Sequence, residues 1–582
     1  MTDLHLTTDR PTQIERDAID RVVPPGEAAV VIETERLVRS GRARRAARRH
    51  LLLPALHALQ HHAGWISPGG LNHVADRLQV PPAEAYGVAT FYELFRIEPP
   101  ETPGPIHHVC SDGACQIAGA ESLAARLAAE GHQLHRSPCL GQCERAPAQF
   151  VQGLGRPDHV PADEEPFVLP QSGDPALRLL AHVGVADPTS LDSYREHGGY
   201  AALDRAVALG PDAVIEAVTA AGLSGRGGAA FPTGLKWRAV ADRPDRAKYV
   251  VANADESEPG TFKDRVLMEH DPFALVEALT IAGLATGATS GWIYIRGEYP
   301  LATERLRAAT DQARAAGRLG PDALGPGRGF DIELRRGAGA YVCGEETALF
   351  NSIEGFRGEP RNKPPYPTTR GLFGAPTAVN NPETLVNVLD IVTDGADTYR
   401  SVGTDESPGT KLFCLSGHVG RPGLYEVPFG ITLGSLIGMA GGPTGAIQAV
   451  LLGGAAGSFV GTDLLDLPLT LEAARDAGLN LGSGVVMVFD ESVDMMPIVA
   501  RIAEFFRRES CGQCVPCRVG TVRQHELVTG VGRPAGTGGP LDTELLDDIA
   551  RVMADASICG LGHTASHAVR SAIDLGLIGG AP

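Results

Sequence analysis

The sequence predicts a multidomain α+β protein, and three observations carry that prediction. Its 582 residues exceed what one hydrophobic core organises and, at about 150 residues each, suggest roughly four domains. Helix-periodic stretches lie toward both ends of the chain, while strand-like runs punctuated by Gly and Pro recur between them. Eight of the ten cysteines fall into two separated groups at ligand-like spacing, which calls for at least two metal-bearing units.

Composition narrows the class. An apolar content of 43% is that of a globular chain, and a net charge of −19 lacks the basic excess of a nucleic-acid binder. No run approaches the ~20 apolar residues of a membrane span, and the N-terminus lacks the basic-then-apolar layout of a signal peptide. The expectation is a cytoplasmic protein without direct membrane insertion, its cysteines serving metals in a reducing compartment.

Residues 1–50 read as a polar, Pro-punctuated N-terminal tail ending in the basic run Arg39 to Arg49, taken as a solvated face. From Leu51 the apolar residues Leu52, Leu56 and Leu59 recur at helical spacing; Gly64 and Pro68 break that helix, and Pro81-Pro82 opens another. Residues 51–100 are therefore expected to form a small helical bundle. Residues 101–155 begin with the strand-like His107-His108-Val109, which ends in Cys110. Cys110 and Cys115 are spaced C-x4-C, and Cys139 and Cys143 follow as C-x3-C after an Ala/Leu-rich helix. Two pairs on two loops suit a [2Fe-2S] rhomb, one pair per iron, although four thiolates also satisfy zinc.

Residues 156–190, rich in Pro, Gly and acids, read as a linker. In residues 191–405 the run Gly222 to Trp237 carries Gly225-x-Gly227-x-x-Ala230, but the preceding Asp212 to Ala221 is periodic as a helix, so the strand required by an ordinary dinucleotide fingerprint is missing. What remains is a glycine cluster that lets backbone N–H groups approach a phosphate or a flat ring, with Lys236 as a charge. A strand at Tyr249 to Ala252 delivers Asn253, Asp255, Glu256 and Glu258 into a loop, where an amide and carboxylates are placed to bind sugar hydroxyls. Gly337 to Thr347 joins a Gly-rich loop to a helix, Lys363 and Tyr366 sit in an irregular Pro-rich stretch, and Asn380-Asn381-Pro382 caps a further helix. Cys343 and Cys414 read as packed core residues. Residues 406–488 are β-rich and Gly-punctuated.

Residues 489–582 hold the second cysteine group. Cys511, Cys514 and Cys517 are spaced C-x2-C-x2-C behind an apolar-faced helix, and Cys559 follows a second helix. Three cysteines in one turn plus a remote fourth suit a cubane [4Fe-4S] cluster better than zinc, which usually takes two C-x2-C pairs or mixed Cys/His sets.

Taken together, GRGGAAFPTGLKW, NADESEPGTFKDR, GAGAYVCGEETAL, GEPRNKPPYP, NNPETL and ESCGQCVPCR make the C-terminal two thirds resemble the flavin-binding, NADH-oxidising subunit of respiratory complex I and its soluble relatives. Residues 50–155, with GVATFYELF and the first cysteine group, resemble the small partner subunit of the same module. The resemblance implies FMN held by Gly225, Gly227, Lys236, Asn253, Asp255, Glu256, Tyr341, Gly344, Glu345, Asn380, Asn381 and Thr384. It implies NAD(H) held by Phe231, Glu258, Glu346, Lys363 and Tyr366, with Glu346 positioning the nicotinamide and no catalytic residue beyond the flavin. It further implies [2Fe-2S] on Cys110, Cys115, Cys139 and Cys143, and [4Fe-4S] on Cys511, Cys514, Cys517 and Cys559.

The implied fold is a helical bundle with a thioredoxin-like [2Fe-2S] domain, a Rossmann-like α/β FMN domain, a ubiquitin-like β-grasp domain and a C-terminal helical bundle with [4Fe-4S]. The short gap between Cys115 and Cys139 suggests a trimmed thioredoxin-like sheet. Flavin takes a hydride as two electrons and releases them singly to an iron–sulfur cluster, so the implied activity is that of a diaphorase. Fusion of two subunits that respiratory enzymes keep apart points to a soluble NAD-linked complex, first an NAD-dependent formate dehydrogenase with its iron–sulfur/molybdenum catalytic subunit as partner. The alternatives are an NAD-reducing hydrogenase, a complex I peripheral subunit or, from a different class, a non-enzymatic zinc scaffold.

Overall fold

The computed structural model describes residues 7–24, 48–100, 104–530 and 541–579; residues 39–47 of the basic run lie outside them. Near the N-terminus, α1 (Gln13–Val22) starts on a capping box in which the Thr12 hydroxyl accepts from the Glu15 N–H and the Glu15 carboxylate accepts from the Thr12 N–H. Its Ile19 is buried with Leu52, Leu56 and Leu59 of α2 (Leu52–Ala63) and Val74 of α3 (Pro68–Leu78). The expected N-terminal tail thus corrects in part to a bundle helix. Only one side of α1 is apolar, and burying that side takes it out of solvent. Gly64 ends α2 at φ +81°, and α4 (Pro82–Ala89) completes the bundle.

The bundle leads into a three-stranded sheet of order β2-β1-β3, built from β1 (Ile106–Cys110), β2 (Gln133–Ser137) and β3 (Gln149–Gln152). Strand β1 runs parallel to β2 and antiparallel to β3. Short helices α5 (Gly113–Ile117) and α6 (Ala120–Ala129) occupy the interval between β1 and β2. The brief stretch from Cys115 to Cys139 has room for one longer helix and one strand.

The supposed linker is a packed strap. Leu169, Leu179, Leu180 and Val183 are buried, and the Glu426 carboxylate accepts the N–H groups of Arg178, Leu179 and Leu180 at 3.1, 3.1 and 3.0 Å. Apolar residues spaced among the acids and prolines dock this stretch, so composition alone misread it.

The next region holds a four-stranded, all-parallel sheet of order β6-β5-β4-β7, from β4 (Tyr249–Ala254), β5 (Ser290–Ile295), β6 (Asp331–Arg336) and β7 (Thr377–Asn380). Helix α7 (Pro211–Ala220) precedes the glycine loop, as its periodicity predicts, and α8 (Thr233–Ala241) follows it. Helix α9 (Lys263–His270) leads into α10 (Pro272–Thr286), which is buried on every side and so carries no polar face. The chain leaves β4 toward β5 and β6, then returns to β7 on the other side of β4. The crevice between the carboxyl ends of β4 and β7 is therefore a topological switch point, where open α/β sheets bind ligands.

A third, mixed sheet has order β11-β10-β12-β8-β9, formed by β8 (Thr410–Gly417), β9 (Gly423–Pro428), β10 (Ile447–Leu452), β11 (Ser458–Val460) and β12 (Val485–Asp490). Its central pair β12 and β8 is parallel and the outer pairings are antiparallel. A C-terminal bundle follows, comprising α13 (Met495–Glu509), α14 (Val515–Thr529), α15 (Thr543–Ala556), α16 (Gly560–Thr564) and α17 (His567–Asp574). One continuous core links Cys139 and Cys143, the four- and five-stranded sheets and this bundle, which holds the sites below in a fixed relation. Among the described residues no helix is long and apolar enough to cross a membrane.

Candidate functional site

At the switch point lies a cavity of about 390 Å³, within the size range of cofactor sites. The carboxyl end of β4 supplies Asn253, Asp255, Glu256 and Glu258; the glycine loop supplies Gly227; the segment before α11 (Glu346–Ile353) supplies Tyr341, Gly344 and Glu345; and Asn381, which caps α12 (Pro382–Asp394), closes that side. These sequence-predicted residues come together although they are spread over more than 150 positions. The remaining ones stand behind or beside the wall. The Gly225 N–H donates to the Phe231 carbonyl at 3.0 Å, closing the glycine loop on itself. Thr384 accepts from the Arg226 N–H at 2.8 Å, and Asn380 accepts from the buried Trp237 indole at 2.9 Å. Lys236 donates to the Val379 carbonyl at 2.7 Å, and burial lowers its pKa. The Phe231 and Tyr366 rings are exposed. Lys363 pairs with Glu345 and Glu346, each at 2.8 Å.

Several wall residues escaped the sequence reading. Gly453, Ala456 and Gly457 come from the turn between β10 and β11, and Asn480, Gly482 and Ser483 from the loop before β12. The glycines there are forced by close backbone approach, since a Cβ on Gly457 would lie 1.9 Å from the Leu452 carbonyl oxygen. The Gly453-Gly454 and Gly482-Ser483-Gly484 runs were the signal available. Glu258 joins the two halves of the wall, accepting from the Tyr341 hydroxyl at 2.6 Å and from the Ala456 N–H at 2.8 Å. Burial pushes Glu258 up to about 7 and Asp255 well above the carboxylate range. Glu256 is also pushed up by burial, to about 8, while it accepts the Asp264 and Arg265 N–H groups that open α9.

The cavity fits a polar, phosphorylated ring system. Its wall pairs backbone amides at glycines with amide and carboxyl acceptors, and the buried Ser483 hydroxyl has no hydrogen-bond partner within the protein.

Cys511, Cys514, Cys517 and Cys559 converge on a separate small void, also lined by Val342, Pro360 and Leu561. Cys514 and Cys559 are the N-cap residues of α14 and α16. Burial pushes the Cys517 thiol up to about 12 and Cys559 up to about 11. Thiols so disfavoured as bare anions are suited to hold cations, which supply the missing positive charge. Cys559 lines both this void and the large cavity.

The N-terminal set is fully buried: Cys110 ends β1, Cys115 lies in α5, and the Cys139 and Cys143 sulfurs are 3.5 Å apart. Hydrogen bonds from Cys110 and Cys143 pull the Cys139 thiol well below its usual range. A narrow void lined by Cys139, Asp255, Ser257 and Tyr341 lies between this group and the large cavity. Cys343 and Cys414 are buried core residues.

Family models of known proteins match four stretches of the chain. Residues 218–390 match a "Nuo51 FMN-binding domain", residues 497–575 an "NADH-ubiquinone oxidoreductase-F iron-sulfur binding region", residues 39–158 a "Thioredoxin-like [2Fe-2S] ferredoxin" and residues 412–452 an "SLBB domain". An F-type subunit of the NADH-quinone oxidoreductase of Rhizobium meliloti (strain 1021) is 44% identical over 399 residues, 68% of this chain and 94% of that relative. The NADP-reducing hydrogenase subunit HndC of Solidesulfovibrio fructosivorans is 43% identical over 402 residues, 68% of this chain and 81% of that one. A chain in the crystal structure of an NAD+-reducing [NiFe]-hydrogenase in the H2-reduced state superposes with a TM-score of 0.77 at 35% identity, covering 90% of each chain.

Proposed function

Because the chain belongs to the family of the F-type subunits of NADH-quinone oxidoreductase, here fused to the small [2Fe-2S] subunit of that module, we propose that it is the diaphorase subunit of a soluble NAD-linked complex. It is an NADH dehydrogenase that uses FMN, [2Fe-2S] and [4Fe-4S]. Bound flavin supplies the exchange between two-electron hydride chemistry and one-electron transfer that links a nicotinamide to iron–sulfur clusters.

The residues have separable tasks in this reading. Gly227, Asn253, Asp255, Glu256, Tyr341, Gly344, Glu345 and Asn381 bind and orient the flavin nucleotide, with Gly225, Lys236, Asn380 and Thr384 bracing that wall from behind. Glu346 and Lys363 form a charged clamp for the NAD(H) ribose, which Glu345 joins from the flavin wall through its ion pair with Lys363, with the exposed Phe231 and Tyr366 rings beside the entrance. Glu258 ties Tyr341 to the Ala456 loop and keeps the far wall closed against water. Cys110, Cys115, Cys139 and Cys143 hold the [2Fe-2S] cluster, and Cys511, Cys514, Cys517 and Cys559 hold the cubane. The five-stranded mixed sheet is read as a ubiquitin-like β-grasp unit that roofs the cavity, and the boundaries near residues 100, 155, 190, 405 and 488 belong to the same reading.

One observation carries the proposal: Cys559 belongs to the wall of the large cavity and to the cysteine-ringed void at once. The flavin and cubane sites are therefore neighbours, which short-range electron transfer requires.

For the partner, we infer the iron–sulfur/molybdenum catalytic subunit of an NAD-dependent formate dehydrogenase, which rests on the fusion of the two modules in one chain. A hydrogenase partner is the second reading, favoured by the coverage of 90% of both chains in the match to an NAD+-reducing hydrogenase. Purifying the native complex and assaying NAD+ reduction with formate and with hydrogen separates them. Formate-dependent reduction supports the first, and hydrogen-dependent reduction without formate activity replaces it with the second.

A further inference from the structure

We propose that Asp112 and Arg501 form an electrostatic tie that sets the reduction potential of the [2Fe-2S] cluster and makes it depend on the docking of the helix that leads into the cubane loop. The inference rests on Cys110, Cys115, Cys139 and Cys143 being that cluster's ligands.

Asp112 lies between the first two of those cysteines, and its N–H donates to the Cys110 sulfur at 3.4 Å. A carboxylate oxygen of Asp112 and the sulfurs of Cys110 and Cys139 all lie within 4.8 Å of one another. The four thiols already complete the ligand set, so this carboxylate acts on the cluster as a nearby charge. Asp112 is 6% exposed and Arg501 8%, so water screens neither. Arg501 comes from α13, the helix that runs directly into the Cys511 loop. Its Nε donates to Asp112 Oδ1 at 2.6 Å, while its Nη1 donates to Glu504 at 2.8 Å. The second oxygen of Asp112 is buried with no hydrogen-bond partner. Arg501 is thus the one cation that answers this carboxylate among the described residues, and a guanidinium keeps its charge across the working pH range.

The sign follows from charge alone. Reduction adds an electron to the cluster. A fixed anion a few ångströms from its sulfurs opposes that addition, and the guanidinium paired with the carboxylate offsets part of the opposition. Asp112 therefore holds the cluster at a low potential, and Arg501 limits how low. Because Arg501 reaches the loop from a different part of the chain, the balance exists only while α13 is docked. Gly113, next to Asp112, faces that docked helix, since a Cβ there would lie 3.9 Å from Cγ2 of Ile498 in α13.

The test is an anaerobic redox titration of the full chain at pH 8, followed by electron paramagnetic resonance, with the cubane signal as internal reference. Asp112→Asn, which preserves an acceptor for Arg501, is expected to retain the [2Fe-2S] signal and shift its midpoint upward while the cubane midpoint stays in place. Adding Arg501→Gln to that variant is expected to bring the midpoint back toward the parent, and Arg501→Lys alone to leave it near the parent value. An Asp112→Asn midpoint that is unchanged or lower, or an equal shift of both clusters, overturns the proposal. Loss of the [2Fe-2S] signal in Asp112→Asn alone makes the residue structural and also overturns it. Absence of that signal in the parent chain would instead refute the ligand assignment.

Discussion

Glu345→Gln is expected to relax the preference for NAD over NADP. Lys363 sits 2.8 Å from both Glu345 and Glu346, so the three side chains carry a net charge of −1 where an adenosine ribose would be held. The Glu345 carboxylate cannot swing away, because it also accepts the Thr347 and Ala348 N–H groups at 2.8 and 2.9 Å as the cap of α11. A phosphate charge brought within roughly 5 Å meets about 3 kcal/mol of repulsion at an effective dielectric near 20, and about 0.8 kcal/mol in bulk water. The side chains are 18%, 28% and 31% exposed, which places the interaction between these limits, at about 1–2 kcal/mol per unit charge, or roughly 5- to 30-fold in kcat/KM. The amide of Gln can still accept at the cap, so the fold is spared the ~1 kcal/mol that loss of a cap costs. Steady-state kcat/KM for NADPH and NADH with an artificial one-electron acceptor reads the ratio. Glu346→Ala should raise it as well, but by less, since Glu346 lies outside the cavity wall. An unchanged ratio in Glu345→Gln, or a larger effect from Glu346→Ala, would refute the reasoning.

Cys559→Ser should lose the cubane signal and its share of the iron while keeping the flavin, the [2Fe-2S] signal and NADH-dependent reduction of an artificial acceptor; metal analysis and turnover measured together check this, and loss of all three cofactors would contradict it. His57 is neutral in the native state: its ring contacts the Gly337 carbonyl at 2.9 Å, and burial, aided by Arg336, lowers it from 6.5 to about 3. Its folded pKa lies below its unfolded value, so the associated stability is present above about pH 6.5 and is lost as pH falls toward 3, amounting to about 2 kcal/mol by pH 5. His57→Gln should flatten that acid limb in thermal melts, and an unaltered pH profile would count against it. Glu426→Ala strands three buried N–H donors of the strap at 178–180; a loss of about 2–4 kcal/mol and faster proteolysis within residues 161–190 are expected, whereas an unshifted melt would show that the strap is held by its leucines alone.

The parts of this architecture that were legible in the sequence are those whose chemistry is local. Cysteine spacing around Cys511 and Cys110, the helical period before Gly222 and the cap at Asn381 each depend on residues a few positions apart, and each is found in place. The tail and the linker were misread because their composition is polar overall. Ile19, Leu179 and Leu180 are few, and only their partners across the fold make them core. The cavity wall made by loops of the five-stranded sheet was invisible for a related reason: Gly457 and Gly482 matter through backbone approach to Leu452 and Gly453, which no local period encodes. Glu256 shows the converse, since a residue expected to meet a sugar hydroxyl also has both carboxylate oxygens engaged at the start of α9.

The central claim is that one chain carries adjacent flavin and cubane sites that nicotinamide can reduce. Anaerobic titration of the purified chain with NADH, followed by visible absorption and electron paramagnetic resonance, tests it most directly. The predicted result is a brown protein whose flavin absorption bleaches and whose [4Fe-4S] signal appears as NADH is added, with no other reductant present. A colourless or zinc-containing protein, or a cubane that only a stronger chemical reductant can reach, would contradict it.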